Sequence, residues 1–313
     1  MRAATIVDGT LQFQEHPDPR PGPGQLVVAV RAAGINASDL MQVRGGYPAP
    51  PGAPANIPGL ELAGEVESTG PGTTRFAVGD RVMAVVGGGG QAERAVIHER
   101  EAMPVPAGLT WEQAGGLPET FTTAHDALFT QCGLTLGERV CVHGAAGGVG
   151  TAGVQLAAAA GASVVATVRN TDLHSAVAAL GATVVEPHET ASRGPYDVIL
   201  ELIGAPNMTA NFEALAIGGR ITVIGVGGGA AADLDLRMLM IKRARISGST
   251  LRPRPLEQKA AAARAVEASV LPLFEAGRLT VPVAAVFPLA HAAEGYERFA
   301  AGGKFGKVVL TVP

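Results

Sequence analysis

The strongest chemical signal in this sequence is a stretch of backbone. Val140-Cys141-Val142-His143 reads as a strand and runs straight into Gly144-Ala145-Ala146-Gly147-Gly148-Val149-Gly150, after which the pattern turns helical. A glycine-rich turn between strand and helix brings free peptide N–H groups and the positive end of a helix dipole to one place. That arrangement can hold a diphosphate, and glycine lets the backbone approach it closely. The G-x-G-x-x-G fingerprint stands here with Ala145 at its first position and Gly147 and Gly150 at the other two. Strand–turn–helix context, with further βα units behind it, favours dinucleotide binding over a tight structural turn. Ala145, Ala146, Gly147, Gly148, Val149 and Gly150 are therefore candidate cofactor contacts.

The end of the second strand bears on which dinucleotide. NAD sites usually place a carboxylate there for the ribose hydroxyls, whereas this chain has Thr167-Val168-Arg169-Asn170. The planar fork of Arg169 suits a 2′-phosphate, which favours NADPH over NADH, although Asp172 lies close by. Metal chemistry finds no support. The seven histidines and two cysteines form no ligand cluster and no C-x-x-C, so no zinc is expected. His125 and His143, near the turn, read as hydrogen-bonded loop histidines, and Cys132 and Cys141 as reduced core thiols. No G-x-S-x-G elbow marks a serine hydrolase.

These groups need a scaffold, and 313 residues suit two domains. Hydrophobic residues make up 47 % and charged residues 17 %, enough for a large packed interior. The net charge of −4, without a basic cluster, makes nucleic acid and anionic membranes poor partners. No secretory leader and no membrane-length apolar run is evident, so a cytoplasmic protein is expected. The first hundred residues carry short β-type runs (26–30, 64–68, 80–86, 93–97) between Gly/Pro turns, which predicts a β-barrel without helices. Helical spacing covers 112–131. Strands are then predicted at 139–143, 163–168, 183–186, 197–202, 220–225 and 245–249, with helices at 149–160, 173–180, 208–215 and 234–241. One long alanine-rich helix is predicted over 256–276, followed by β texture at 281–288 and 307–312. The expected fold is α/β: a Rossmann-type doubly wound parallel sheet inserted into a domain built from both chain ends.

The chain resembles the zinc-free quinone oxidoreductase branch (zeta-crystallin-like) of the medium-chain dehydrogenase/reductase superfamily. The resemblance is carried by Gly34-Ile35-Asn36-Ala37-Ser38-Asp39, Gly45-Gly46-Tyr47-Pro48, Pro58-Gly59-Leu60-Glu61, Val78-Gly79-Asp80-Arg81-Val82, Gly88-Gly89-Gly90-Gln91-Ala92-Glu93, Leu117-Pro118-Glu119-Thr120, the turn at 145–150, Ser247-Gly248-Ser249-Thr250-Leu251-Arg252 and Gly306-Lys307-Val308-Val309. It implies a GroES-like β-barrel catalytic domain over 1–117 plus 254–313 and a Rossmann NADPH-binding domain over 118–253. It also implies that Asn36, Leu60 and Glu119 stand where zinc-dependent relatives carry ligands, with Glu61 persisting.

Carried over position by position, the resemblance makes Tyr47 and Asn36 the catalytic candidates. Asn36 would also approach the nicotinamide, and Thr123 the phosphates or nicotinamide riboside. Ile203, Gly204, Gly225 and Val226 would line the cofactor from the loops and strand end beneath it, and Thr250, Leu251, Arg252, Lys304 and Phe305 from beside it. Asn170 and His188 occupy places where NADPH-binding relatives often carry other residues. The expected reaction is hydride transfer from NADPH to a quinone or similar electrophilic small molecule. Enoyl reduction of α,β-unsaturated carbonyls or thioesters is an alternative, and so is non-catalytic NADPH binding. The apolar strand at 245–249, at a sheet edge, suits pairing with a second copy, and the resemblance implies a homodimer.

Overall fold

The computed structural model describes residues 1–312. The chain forms two compact units, one made of residues 1–122 together with the chain from Leu251 onward, the other of residues 123–250.

In the first unit, β1 (Arg2–Val7) and β2 (Thr10–Glu15) make an antiparallel hairpin. A larger sheet is organised on β3 (Gln25–Ile35), eleven residues long and buried over most of its length. On β3 pair β4 (Glu61–Thr69) and β6 (Arg94–His98), while β5 (Arg81–Val85) and β7 (Ala102–Pro104) extend the sheet beyond β4. Leu26, Val28, Val30, Leu62, Val66, Val82 and Ile97 fill one core cluster of this unit. Between β3 and β4 lies α1 (Ala37–Val43), and after β7 come α2 (Trp111–Gly116), packed on β3 and β4, and α3 (Pro118–His125), within which the chain leaves the unit.

The second unit begins with a π-helical turn over Asp126–Gln131. Its elements are β8 (Arg139–Val142), α4 (Gly148–Ala159), β9 (Ser163–Thr167), α5 (His174–Ala178), β10 (Ala182–Val185), β11 (Tyr196–Glu201), α6 (Met208–Ala214), β12 (Leu215–Val223), α7 (Leu236–Lys242) and β13 (Arg245–Gly248). The sheet is wholly parallel, in the order β10-β9-β8-β11-β12-β13. The chain goes outward from β8 to one edge and then returns to its other side at β11. In such sheets the crevice at the carboxyl ends of the two central strands is where ligands bind.

Returning to the first unit, the chain forms α8 (Leu256–Ser269), α9 (Leu271–Glu275), β14 (Val283–Pro288), α10 (Ala292–Ala300) and β15 (Lys307–Thr311). β15 lies between β14 and β3, antiparallel to the latter. Among the described residues no helix is long and apolar enough to cross a membrane.

The structure corrects several expectations. The 256–276 helix is two helices, because Pro272 lacks an N–H donor and is tolerated only in the first turn of a new one. The 112–131 segment breaks at Leu117-Pro118 for the same reason and ends in π-helical geometry. The first hundred residues are not free of helix: α1 follows β3 directly, its start set by Asp39 Oδ2, which accepts the Asn36 N–H at 2.8 Å. The helix expected at 173–180 is a 3-10 turn over Thr171–Leu173 followed by the short α5. The C-terminal region also holds α10, whose Tyr296 is buried against Ile35, Val308 and Leu310.

Candidate functional site

The glycine turn takes the form its residue types dictate. Gly144 has φ +59° and Gly147 is the N-cap of α4, a helix with no side-chain cap and no acid in its first turn. Its leading N–H groups are left for a ligand. The glycines differ in what they tolerate. At Gly150 a Cβ would collide with the Gly144 carbonyl and come within 2.6 Å of Ala145 Cα, so α4 can pack on the turn only without one. At Gly147 a Cβ would find its nearest neighbour at 3.5 Å, so that face of the turn is open. A tight inner glycine and an open outer one form the cradle that a pyrophosphate requires.

Behind the turn lies a buried polar chain that the sequence did not reveal. Glu201, at the end of β11 and wholly buried, accepts the N–H groups of Ile203 (2.7 Å) and Gly204 (2.8 Å), Asn207 Nδ2 (3.1 Å) and Asn211 Nδ2 (2.6 Å). Asn211 Oδ1 faces His143 Nε2 at 2.7 Å, and His143 Nδ1 faces Thr167 Oγ1 at 3.0 Å. A carbonyl oxygen only accepts, so Nε2 carries the proton and Nδ1 accepts from the threonine hydroxyl. Burial lowers the His143 pKa, so His143 Nε2 and Glu201 Oε2, 3.8 Å apart, are a neutral ring beside a carboxylate. The chain joins the carboxyl ends of β8, β9 and β11. His143 is thus a structural residue, as its reading as a bonded histidine implied, and Glu201 shapes the loop that carries Ile203 and Gly204.

Past β9, Arg169 is exposed and has no ion-pair partner among the described residues. Asn170 uses its side-chain oxygen to cap the following turn, accepting the Asp172 N–H at 3.1 Å. His188 is 74 % exposed, with Nδ1 3.6 Å from Glu186 Oε2. Gly225 follows β12, and a Cβ there would strike the Leu202 carbonyl, whereas Val226 is exposed. Thr123 is buried and Thr250 exposed. Cys132 and Cys141 are buried free thiols, and burial pushes the Cys132 pKa up to about 11.

In the first unit the candidates gather around a buried ion pair. Lys307 Nζ lies 2.6 Å from Glu61 Oε1 and donates to Ile35 O (2.9 Å) and Asn36 Oδ1 (2.7 Å). Glu61 also accepts Asn36 Nδ2 at 3.0 Å and the Glu119 N–H at 2.9 Å. All three ammonium hydrogens are used, and Asn36 keeps one amide hydrogen. These residues do not fit zinc: Leu60 offers no donor atom, Asn36 and Glu61 are engaged by Lys307, and among the described residues no three His, Cys, Asp or Glu side chains come together. Next to the pair, Asp39 is wholly buried and accepts the Asn36 and Gly59 N–H groups. Burial pushes its pKa up to about 7, against the opposing pull of those N–H groups and of Lys307.

Tyr47 is half-buried, and burial raises its phenol pKa, with Arg252 opposing. Arg252, expected beside the cofactor, is 3 % exposed and spends its guanidinium inside the first unit. It donates to Gly87 O (2.7 Å), Tyr47 O (2.9 Å) and Gln42 Oε1 (2.6 Å), and its Cζ lies 4.9 Å from the centre of the Tyr47 ring. It therefore fixes the loop that presents Tyr47. Leu251 beside it is buried. Lys304 Nζ sits 3.7 Å above the Phe299 ring, and burial brings its pKa down to about 8. Phe305 is half-buried.

Residues 22–107 match the family model described as alcohol dehydrogenase GroES-like domain, and residues 148–267 match that described as zinc-binding dehydrogenase. The chain is 32 % identical over 304 residues to a quinone oxidoreductase of Rattus norvegicus, covering 93 % of this chain and 90 % of the relative. It is 36 % identical over 307 residues to the spectinabilin polyketide synthase system protein NorB of Streptomyces orinoci, covering 93 % of this chain and 13 % of that much longer protein. Among solved structures, a mycobacterial protein complexed with NADPH superposes with a TM-score of 0.87 at 26 % identity, covering 100 % of both chains.

Two outcomes follow from the ion pair and its neighbour. Lys307→Met strands a buried carboxylate and should cost about 3–5 kcal/mol in urea unfolding. Adding Glu61→Gln should restore part of that loss, and additive single-mutant losses would contradict the coupling. Because the folded pKa of Asp39 is raised, its stabilising proton is fully held below the unfolded value of 3.8 and lost as pH rises through about 7. The melting temperature of the unaltered protein should therefore fall between pH 5 and pH 8 relative to that of Asp39→Asn, which cannot titrate. Parallel curves would contradict it.

Proposed function

Because this chain belongs to the medium-chain dehydrogenase/reductase superfamily, in its zeta-crystallin-like quinone oxidoreductase branch, we propose that it is an NADPH-dependent, zinc-free reductase delivering hydride to a quinone or similar electrophilic acceptor. The single observation that carries this reading is the uncapped, acid-free start of α4 above an open Gly147, in a chain with quinone oxidoreductase relatives over most of its length. The bound nicotinamide supplies the hydride. The protein holds the diphosphate at residues 145–150, and Arg169 meets the 2′-phosphate as a planar donor without a competing partner. Glu201 keeps the Ile203–Gly204 loop in one shape for the cofactor.

Reduction of a quinone consumes one hydride and one proton. Tyr47 carries its proton at neutral pH, as any phenol does, and burial only reinforces this, so it can donate a hydrogen bond to the acceptor oxygen while that oxygen gains charge. Asn36, with one amide hydrogen left over, can offer a second. Most of the rate then comes from orientation, with Glu61 and Lys307 holding Asn36 and Arg252 holding Tyr47. A second reading, reduction of the double bond of an enoyl ketone or thioester, draws support from the polyketide synthase relatives. It uses the same residues.

We also propose a homodimer through β13. This strand ends the sheet with its backbone edge unpaired, and exposed Leu236, Met240, Ile241 and Ile246 flank it, the composition of a surface that a second copy covers.

Steady-state assays with NADPH and NADH against a panel of quinones, enones and enoyl thioesters test the reading. NADPH oxidation with at least one class is expected, and its absence with all would refute it. Arg169→Ala should lower kcat/KM for NADPH by about 10- to 100-fold, the worth of a charged hydrogen bond, and leave NADH within about twofold. Equal losses for both cofactors would remove Arg169 from the phosphate. Light scattering should give twice the chain mass, falling to one chain in Ile246→Lys.

A further inference from the structure

The buried polar residues behind the glycine turn form a chain whose hydrogen bonds can run in one direction only. Glu201, as a carboxylate, cannot donate to the Asn211 side chain 2.6 Å away, so Asn211 turns Nδ2 toward it. Asn211 Oδ1 then faces His143 Nε2 at 2.7 Å, which makes Nε2 the protonated nitrogen. His143 Nδ1 has only a lone pair left for Thr167 Oγ1 at 3.0 Å, and the hydroxyl donates. All four residues are 3 % exposed or less, so water does not replace a lost link. Cys141 Sγ lies 3.7 Å from Nε2, and burial holds its pKa well above the usual thiol range, so it adds no charge.

Each end of this chain is tied to a segment at the carboxyl ends of the strands. At one end Thr167 O accepts the Ala145 N–H at 3.2 Å, inside the glycine turn. At the other, Glu201 Oε1 takes the N–H groups of Ile203 and Gly204. The hold continues outward, because the Ala205 N–H donates to Gly229 O at 2.9 Å and the Gly228 N–H to Ile203 O at 2.8 Å. Ile203 itself rests against the turn, its Cδ1 3.1 Å from where a Gly144 Cβ would stand. The turn and the 203–205 and 228–229 segments are thus set relative to one another through Asn211 on α6.

We propose that Asn211 is a positioning residue for the dinucleotide: its amide holds the diphosphate turn and the Ile203–Gly204 loop at the spacing that lets both halves of the cofactor bind together. The inference rests on the cofactor reading above and goes beyond it. The chain governs affinity for the whole dinucleotide and leaves each half's own contacts alone. What matters is the match of donor to acceptor, not which residue carries the charge. Asn211→Asp sets two acceptors face to face, and Glu201→Gln sets two donors face to face. Both changes together restore the match with its polarity reversed. The new carboxylate accepts from His143 Nε2 and from the new amide, whose oxygen still takes the Ile203 and Gly204 N–H groups.

The test is calorimetry on the full chain at pH 8, with NADPH, NADH and their adenosine halves 2′,5′-ADP and AMP as probes. Asn211→Asp and Glu201→Gln should each weaken binding of the preferred dinucleotide at least about tenfold, as when one molecule in ten has its crevice preformed. Each should leave the corresponding half within about threefold, and the double variant should bind the dinucleotide within about threefold of the unaltered chain. Melting temperature checks folding. Where a single variant does not fold, the double variant and Thr167→Val carry the test. Thr167→Val removes only the far hydroxyl and should show the same split between whole and half in smaller measure. Nitrogen NMR of the imidazole should show a neutral His143 with its proton on Nε2. Halves weakened as much as the dinucleotide, a double variant no better than the singles, or a proton on Nδ1 overturns the proposal. If the unaltered chain binds neither NADPH nor NADH, the cofactor reading fails and this inference with it. If it binds one and every variant binds it equally well, only the positioning role fails.

Discussion

The site in the first unit hangs on one buried contact, the Lys307 ammonium against the Glu61 carboxylate at 2.6 Å. Removing two charges from water costs several kcal/mol per ion, and their attraction offsets this only when every remaining donor and acceptor is satisfied. Here each is. Lys307 spends its other hydrogens on Ile35 O and Asn36 Oδ1, while Glu61 takes the Asn36 amide and the Glu119 N–H. The end of β3, the start of β4, the start of α3 and the start of β15 therefore meet at one point. The backbone conforms to it as well: a Cβ on Gly34 would overlap the Glu61 carboxylate. Asn36 is oriented by this pair and by Asp39 beneath it.

The second unit solves its positioning problem with the same economy. Glu201 is a buried carboxylate with no Lys or Arg partner among the described residues, kept tolerable by four N–H donors, two of them backbone groups of the very loop it shapes. In both units a buried acid at a strand terminus, Glu61 at the start of β4 and Glu201 at the end of β11, gathers N–H donors from neighbouring segments. In the proposed reaction the reactive groups need few special residues, because the nicotinamide would supply the hard chemistry.

The glycine turn was legible in the sequence because its information is local: strand, turn and helix follow one another, and each glycine has a backbone reason to be there. The order of βα units was legible for the same reason. Glu201, Arg252 and Lys307 were not legible in these roles. Lys307 reaches Asn36 across 271 residues and Arg252 reaches Tyr47 across 205, and no periodicity marks an ion pair formed at such a distance. The sequence places Arg252 in a segment beside the expected cofactor, but what it does depends on where Gly87 and Tyr47 come to lie. Helix ends were misplaced where proline intervened, at Pro118 and Pro272, since apolar spacing continues through a break that only the missing donor reveals. α1 was missed because seven residues are too few for a period to show.

The position of β15 between β14 and β3 also has a consequence for the order of events on the ribosome. Residues 123–250 contain every strand of their own sheet and can close as soon as they have emerged. The surrounding unit cannot. Its central strand β3 waits for a neighbour encoded some 270 residues later, and Glu61 has no cation until Lys307 is translated. Nascent chains should therefore pass through a stage with the 123–250 unit finished and the other unit open, holding an uncompensated acid and an unpaired strand edge. A synthesis stopped short of Lys307 would leave a product recognisable to proteases by that half alone.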